Sequence, residues 1–446
     1  MSERRASDDA AVRDEAIRRW HELLRETPSD DRGLQLLRRI SVGNRRVFVV
    51  ARPFLMTPVR YEQERLACTL VGSALSKLSA AIWCDPSLLD ELGVSDAERE
   101  LVTIDPGFAE LDVTDRFDGF VSKRLGFVEL QGGAPGGVGL VDAAAKAFME
   151  TSVFEQVTGE YDFLPLEALG PLREALLETW REWGGAGDPT IGIVDWYDAP
   201  LLPEFELVRD SLRAAGLQAL IADPRSLRFE SGRLRQDSES IDLVYRRLTI
   251  FDTIARPDDT RALVDAARAG AVCVVNPYAS DVMGHKSVFA LLTDSSMDLG
   301  LTEAERNAVH NHVPWTRRLT AVATPGHDAV STEYVVEHRA DLVIKPAHGF
   351  EGHGVHLGWE TEPKKWEGVV AKAAGSDYIV QKRVGAHREA FPRDEPGFPL
   401  QRYYVDTDPF VFRRRMGSVL VRLSTEGITN VAAGGSVVPS FLVFPR

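Results

Sequence analysis

Several things are scarce in this chain, and each scarcity excludes something. Of 446 residues only three are cysteine, Cys68, Cys84 and Cys273. They are scattered without a Cys-x-x-Cys pair, so neither a disulfide framework nor a structural zinc site is implied, and the pattern is that of a reducing compartment. Positive charge is in deficit. With 52 basic and 67 acidic residues the formal net charge is −15 and the pI is near 5.2, which argues against wrapping nucleic acid or an anionic membrane. The highly charged segment 1–31 has no apolar run fit for a signal peptide or a span, so a cytoplasmic location is expected. No Gly-x-Ser-x-Gly or Cys/His arrangement marks a covalent nucleophile. Neither low complexity nor a fixed-period repeat is present. Lysine is also scarce, with nine among the 52 basic residues, so a lysine closing an apolar strand stands out.

What is present suits a globular protein of two or three subdomains, with 44% hydrophobic and 27% charged residues. Its most informative segment runs from Arg116-Phe-Asp118 to Glu129-Leu-Gln131 and Pro135-Gly136. The β-period of two predicts that Phe127, Glu129 and Gln131 share one face while Val128 and Leu130 pack inward. Residues 116–121 read as a second strand, folded back through the polar stretch 122–126 as a hairpin. With the turn near Lys123 and Arg124, Asp118 falls opposite Glu129. Two carboxylates and an amide oxygen converging there suit Mg²⁺, a hard cation usually shared with substrate phosphates. A surface hairpin with solvated acids is the plainer alternative.

The second informative segment is Asp341-Leu-Val-Ile-Lys345 followed by Gly349, Gly352 and Gly354. An apolar strand ending in lysine and running into a glycine-rich loop is a phosphate cradle in outline. Glycine backbone approaches an anion closely, and lysine supplies a point charge. An ordinary glycine-rich turn beside an edge lysine is the alternative. His348, His353 and His356 invite a metal reading, but a loop that must move over phosphates is better served by neutral imidazoles as donors. His310-Asn-His312 reads as a helix end.

Together these segments resemble the ATP-grasp superfamily of carboxylate–amine ligases. In that family Arg-x-Asp and Glu-x-Asn hold metal, and a lysine with a glycine-rich loop covers the triphosphate. Here Asp118 and Glu129 precede Lys345, an order that resembles the circularly permuted branch containing glutathionylspermidine synthetase. Asp242-Leu-Val-Tyr-Arg-Arg247, Val274-Val-Asn-Pro277 leading to Lys286, Tyr378-Ile-Val-Gln-Lys382 and Ile428-Thr-Asn430 leading to Gly434-Gly435 extend the match across residues 110–446. Gln131 stands where the family has asparagine, and its extra methylene bears on how a second metal would be held.

The resemblance implies an α+β ATP-grasp fold with an inserted Rossmann-like subdomain. The expected units are 1–185, a helical segment plus the metal-binding part of the sheet; 186–285, the Rossmann-like unit; 286–400, the nucleotide lid; and 401–446, a return to the central sheet. A helix is expected over 12–40 and a strand over 46–50. A further helix over 61–81, a linker at 184–188, a β-α-β unit over 190–222 and a capped helix at Thr302 complete the reading. ATP and Mg²⁺ are the implied cofactors. Asp118, Glu129 and Gln131 would hold metal. Lys286, Lys345, Gly349, Gly352, Gly354, Gln381, Lys382 and Val384 would hold nucleotide, and Arg246, Arg247 and Asn430 the substrate. Arg116 and Arg422 would be catalytic. The expected partners are small-molecule or peptide carboxylates and amines, with neither nucleic acid nor membrane, and a homodimer is the candidate assembly. Three activities remain open at this point: an ATP-dependent ligase, a kinase sharing the first half-reaction, and a nucleotide binder without chemistry.

Overall fold

The computed structural model describes residues 3–122, 124–319, 330–349, 352–427 and 435–446, with side chains from residue 9. Its centre is an eight-stranded mixed sheet. Phe54–Met56, Ser436–Pro445, Arg415–Ser424, Leu400–Phe412, Thr114–Val121 and Leu125–Gln131 lie side by side in that order, while Tyr161–Pro165 and Arg388–Pro392 add branches. The long strands near the C-terminus read as continuous apolar runs because both faces are covered. The fold is α+β.

The helical region before the sheet departs from the single helix expected over 12–40. It is two helices, Glu3–Leu24 and Arg32–Arg39. Pro28 cannot continue a helix, and Asp31 starts the second one by accepting from Leu34 N. Of the apolar stripe Ile17, Trp20, Leu23 and Leu24, the last three are buried and Ile17 is partly buried against the same core. The strand expected at 46–50 shrinks to Arg45–Arg46 plus an isolated bridge from Val50 to Arg393.

Helix Pro58–Cys84 is, among the described residues, the one long and apolar enough to cross a membrane. Its Val71, Ala74, Leu75 and Leu78 are packed into a core cluster with residues of the main sheet, and its Glu64 is buried beside Arg60.

A four-stranded parallel sheet follows, ordered Cys273–Val275, Leu243–Arg246, Ile191–Val194, Ala219–Ala222. Helix Leu202–Ala214 connects the last two strands, giving the expected β-α-β unit. Residues 316–382 supply a four-stranded antiparallel sheet, Thr316–Arg318, Tyr378–Lys382, Leu342–Pro346 and His356–Leu357. The capping box at Thr302 with Glu305 starts helix Glu303–His312 as its sequence predicts.

One side chain joins the parallel sheet to the main sheet. Asn276, fully buried, accepts from Thr114 N at 2.9 Å and donates to Thr114 O at 2.8 Å. Replacing it with alanine leaves both backbone groups buried without these partners. Asn276→Ala should therefore lower the unfolding free energy by about 2–4 kcal/mol, read as a lower urea midpoint. An unchanged midpoint would show that the two sheets are joined by packing alone.

Candidate active site

The hairpin assembles its chemistry through register. Arg116 lies opposite Gln131 and Asp118 opposite Glu129, as the period-two spacing requires. The ladder then slips: Gly119 pairs with Phe127, which leaves Val128 as a bulge. A bulge reverses the alternation, and two side-chain directions change with it. Phe127, expected beside Glu129, is instead fully buried with Leu130 and packs on Phe117 at 4.9 Å. Val128, expected inward, lines a cavity, and its carbonyl accepts from Lys345 Nζ and Gln381 Nε2, each at 3.2 Å.

That cavity encloses about 990 Å³ between the hairpin, the antiparallel sheet and the loop after Lys345. Arg116, Glu129, Gln131, Lys286, Lys345, Asp406 and Arg422 line its polar part. Asp118 sits behind this wall, fully buried. Arg116 donates to both its oxygens, at 2.6 and 2.9 Å, and Arg422 to Oδ2 at 2.9 Å. Arg422 also pairs with Asp406 and Asp408, both at 2.7 Å. Arg116 further donates to Gly136 O at 2.8 Å, fixing the loop that enters helix Val138–Met149. Glu204 accepts from Gly137 N at that helix's start, at 2.7 Å.

The balance of charge governs protonation. Burial disfavours the Glu129 carboxylate, but Lys286, Lys345 and Arg422 outweigh it and hold the group well below the usual carboxylate range. Lys286 Nζ is 3.2 Å from Glu129 Oε2, and Gln131 Nε2 donates to Oε1 at 3.0 Å. Lys345 is lowered to about 8, burial outweighing Glu129, and its Nζ donates to Gln381 Oε1 at 2.9 Å. Burial pushes Asp408 upward against the pull of Arg422, with Asp406 and Asp118 adding like charge.

The loop after Lys345 behaves as its glycines suggest. Gly349 has φ +135° and its carbonyl accepts from Lys286 Nζ at 2.8 Å. Gly354 has φ +73°, and a Cβ there would lie 2.8 Å from Pro346. Gly352 lines the cavity; residues 350 and 351 lie outside the described residues. The apolar end of the cavity is built from Val343, Val355, Leu357, Trp359 and Val384. Gly126 leaves room for Val384, whose Cγ1 would be 2.8 Å from a Cβ there. Lys382 is exposed at this end, and Arg383 stacks over Trp359 at 4.0 Å.

Other expected residues stand elsewhere. Arg246 is fully buried and does not line the cavity. It donates to the carbonyls of Asn276, Leu248 and Pro277 and pairs with Asp281, so the structure gives it to the parallel sheet and not to a substrate. Arg247, also buried, donates to Tyr245 Oη and Ala134 O at 3.2 Å each; it braces the loop before helix Val138–Met149 from outside the cavity wall. Asn430 and Lys123 lie outside the described residues. Sequence reasoning missed Asp406 and Asp408, although two acids at period two on an apolar strand were a legible signal. It also missed Glu204, whose partner is a backbone amide 67 residues away.

No protein-family model matches this sequence, and no curated protein sequence matches it significantly. Among solved structures, the chain is similar to a glutathione synthetase-like effector, GSS30, from Globodera pallida in its apo form. The identity is 13%, the match covers 94% of this chain and 97% of that one, and the TM-score is 0.60. A protein described provisionally as a gamma-glutamylcysteine synthetase from Methylobacillus flagellatus KT aligns at 11% identity over 87% and 89% of the two chains, with a TM-score of 0.44. The first likeness shows a shared fold across nearly the whole chain.

Arg422 contacts all three of Asp118, Asp406 and Asp408. Arg422→Met should cost about 3–5 kcal/mol, because it strands buried carboxylates. Adding Asp408→Asn should recover part of that loss. A double-mutant cycle in urea showing simple additivity would refute the coupling.

Proposed function

We propose that the protein is an ATP-dependent ligase that joins a carboxylate to an amine through an acyl phosphate, releasing ADP and phosphate. One observation carries the reading. Arg116, Glu129 and Gln131, and Lys286, Lys345 and Arg422 come from separate parts of the chain yet line one cavity beside a glycine-rich loop. The likeness to a glutathione synthetase-like effector fits a synthetase, and the hairpin's place before the lysine strand fits a permuted chain order.

In this reading the apolar end near Val384 and Trp359 takes the adenine, with Gln381 and Lys382 at the connecting strand. Lys286, Lys345 and the loop glycines hold the phosphates. The donor set also fits a divalent cation: Glu129 and Gln131 face the cavity, and with Gln131 Nε2 on Glu129 its amide oxygen remains for a ligand. Mg²⁺ held there, when bound, would neutralise phosphate charge. Asp118 is taken as the group that orients Arg116 and Arg422, since both its oxygens are engaged by them.

The substrate carboxylate attacks the γ-phosphorus and ADP departs. The amine nitrogen then attacks the acyl carbon, the C–O bond to phosphate breaks, and the nitrogen loses its proton. Arg116, gripped by Asp118 and Gly136, is positioned to stabilise the oxyanion of the tetrahedral intermediate. Gly349, Gly352 and Gly354, beside the phosphates, would help to keep water from the acyl phosphate.

Two measurements test this. In a screen of amino acids and short peptides, ADP and phosphate should appear only with an acid and an amine together, and hydroxylamine should trap the activated acid as a hydroxamate. Glu129→Gln should abolish turnover without altering the fold, and loss of the Arg116 guanidinium should slow turnover on the order of 10²- to 10³-fold. A stable phosphorylated product without amine would make it a kinase, and binding without any hydrolysis a passive binder.

The second measurement uses Lys345. Its free-site value of about 8 makes it mostly neutral at pH 8.5 and mostly charged at pH 6.5. A triphosphate favours the ammonium, so binding at pH 8.5 should draw in about half a proton or more. Calorimetry in buffers of different ionisation enthalpy reads this directly, and Lys345→Arg should remove the uptake. Equal proton exchange in wild type and variant would place the nucleotide away from Lys345.

A further inference from the structure

Two histidines that this chemistry leaves unused meet outside the cavity lining. His285 precedes Lys286, His348 precedes Gly349, and their ring centroids are 3.8 Å apart. Glu98, the third residue of helix Asp96–Val102 and its capping-box partner, completes the group: one ligand atom from each of the three side chains lies within 4.8 Å of the others. Glu98 and His285 are 4% and 5% exposed.

Each side chain is held from its outer side. Ser95 N and Oγ donate to Glu98 Oε2 at 2.9 and 2.6 Å. His285 Nδ1 lies 3.4 Å from Leu92 O, and His348 Nε2 lies 3.1 Å from Asp377 Oδ2. A carbonyl or carboxylate behind the far nitrogen is the arrangement that fixes tautomer and ring orientation in metal-binding histidines. It leaves Glu98 Oε1, His285 Nε2 and His348 Nδ1 for the interior of the group.

The inner contacts bring a carboxylate oxygen and two imidazole rings together at one buried point. Glu98 Oε1 is buried with no aligned hydrogen bond among the described residues, and it lies 3.2 Å from His285 Nε2. Without an ion the carboxylate and the His285 ring pair with each other, and a cation placed between them would take over that contact and bond to both.

We propose that Glu98, His285 and His348 bind one Zn²⁺ ion. Two imidazoles and a carboxylate suit zinc, whereas Mg²⁺ prefers an all-oxygen set. Rotamer-scale shifts bring the three atoms to the roughly 2.0–2.2 Å that zinc requires. A fourth position remains for water. The ion pins the first residue of the glycine-rich loop to the body of the protein, beside Lys286. The sequence turns His348 away from metal on the ground that a loop moving over phosphates is served by neutral imidazoles; Glu98 and His285, its two partners, lie far from it in the chain.

Full-length protein equilibrated with one equivalent of Zn²⁺ in excess Mg²⁺, then gel-filtered, should retain about one zinc per chain by mass spectrometry. Co²⁺ in its place should give the visible absorption of a four-coordinate site. His348→Ala, on the partly exposed side chain, should lose at least tenfold of the retained zinc together with the cobalt signal, and His285→Ala should do the same. Glu129→Gln should keep both, because the active-site acids are not the ligands. No retained zinc in the wild type, full retention in His348→Ala, or loss in Glu129→Gln would overturn the site.

Discussion

Asp118 between two arginines is the contact on which the site's geometry depends. Its oxygens are shared by Arg116 on its own strand and Arg422 from a strand two places away, across Leu400–Phe412. A fully buried carboxylate accepts that position only if both oxygens are satisfied, and a buried guanidinium only if it is paired. The three groups therefore fix one another. Because the network crosses three neighbouring strands, sliding any of them by one residue would leave buried charges unpaired. Such networks confer a unique arrangement more than net stability.

From that fixed wall the rest of the cavity is reached by long-range contacts. Lys345 donates to Val128 O from 217 residues away, and Lys286 bridges Glu129 and Gly349 O. The hairpin and the glycine-rich loop are thus held together by two of only nine lysines in the chain. Under the proposed function a flexible lysine stem would suit this better than arginine, since its charge could pass from a carboxylate to a bound anion without a planar fork having to be re-matched.

How much of this was legible depended on the range of the cause. Local causes could be read: alternation placed Asp118 opposite Glu129, Thr302 and Glu305 announced a capping box, and glycines marked the loop after Lys345. Pro28 also carried a local signal, yet apolar periodicity on both sides of it hid the break in the first helix. The bulge at Val128 could not be read, and the partners of its carbonyl, Lys345 and Gln381, lie more than two hundred residues away. Arg246 and Arg247 look alike in sequence, and only the tertiary fold sends one into the parallel sheet and the other against the 134 loop. Asp406 and Asp408 carried a local signal, two acids at period two on an apolar strand, but their partner Arg422 lies on the neighbouring strand and had to be placed by the fold.

The same charges explain why a cation would be needed if the cavity takes a nucleotide. Asp118, Glu129, Asp406 and Asp408 stand against Arg116, Lys286, Lys345 and Arg422, so the site is close to neutral when all are ionised. A triphosphate brings about four negative charges into this partly buried space, where the effective dielectric is far below that of water. Lys286 can leave Glu129 to meet it, but that exposes the Glu129 carboxylate to the same anion. A divalent ion held by Glu129 and Gln131 would answer both demands, offsetting anionic charge and taking the lysine's place on the carboxylate. The low proton affinity of Glu129 is a consequence of its lysine and arginine neighbours, and it would leave the carboxylate ionised for a metal under the proposed function. Gln131 beside it adds a neutral oxygen donor without adding charge.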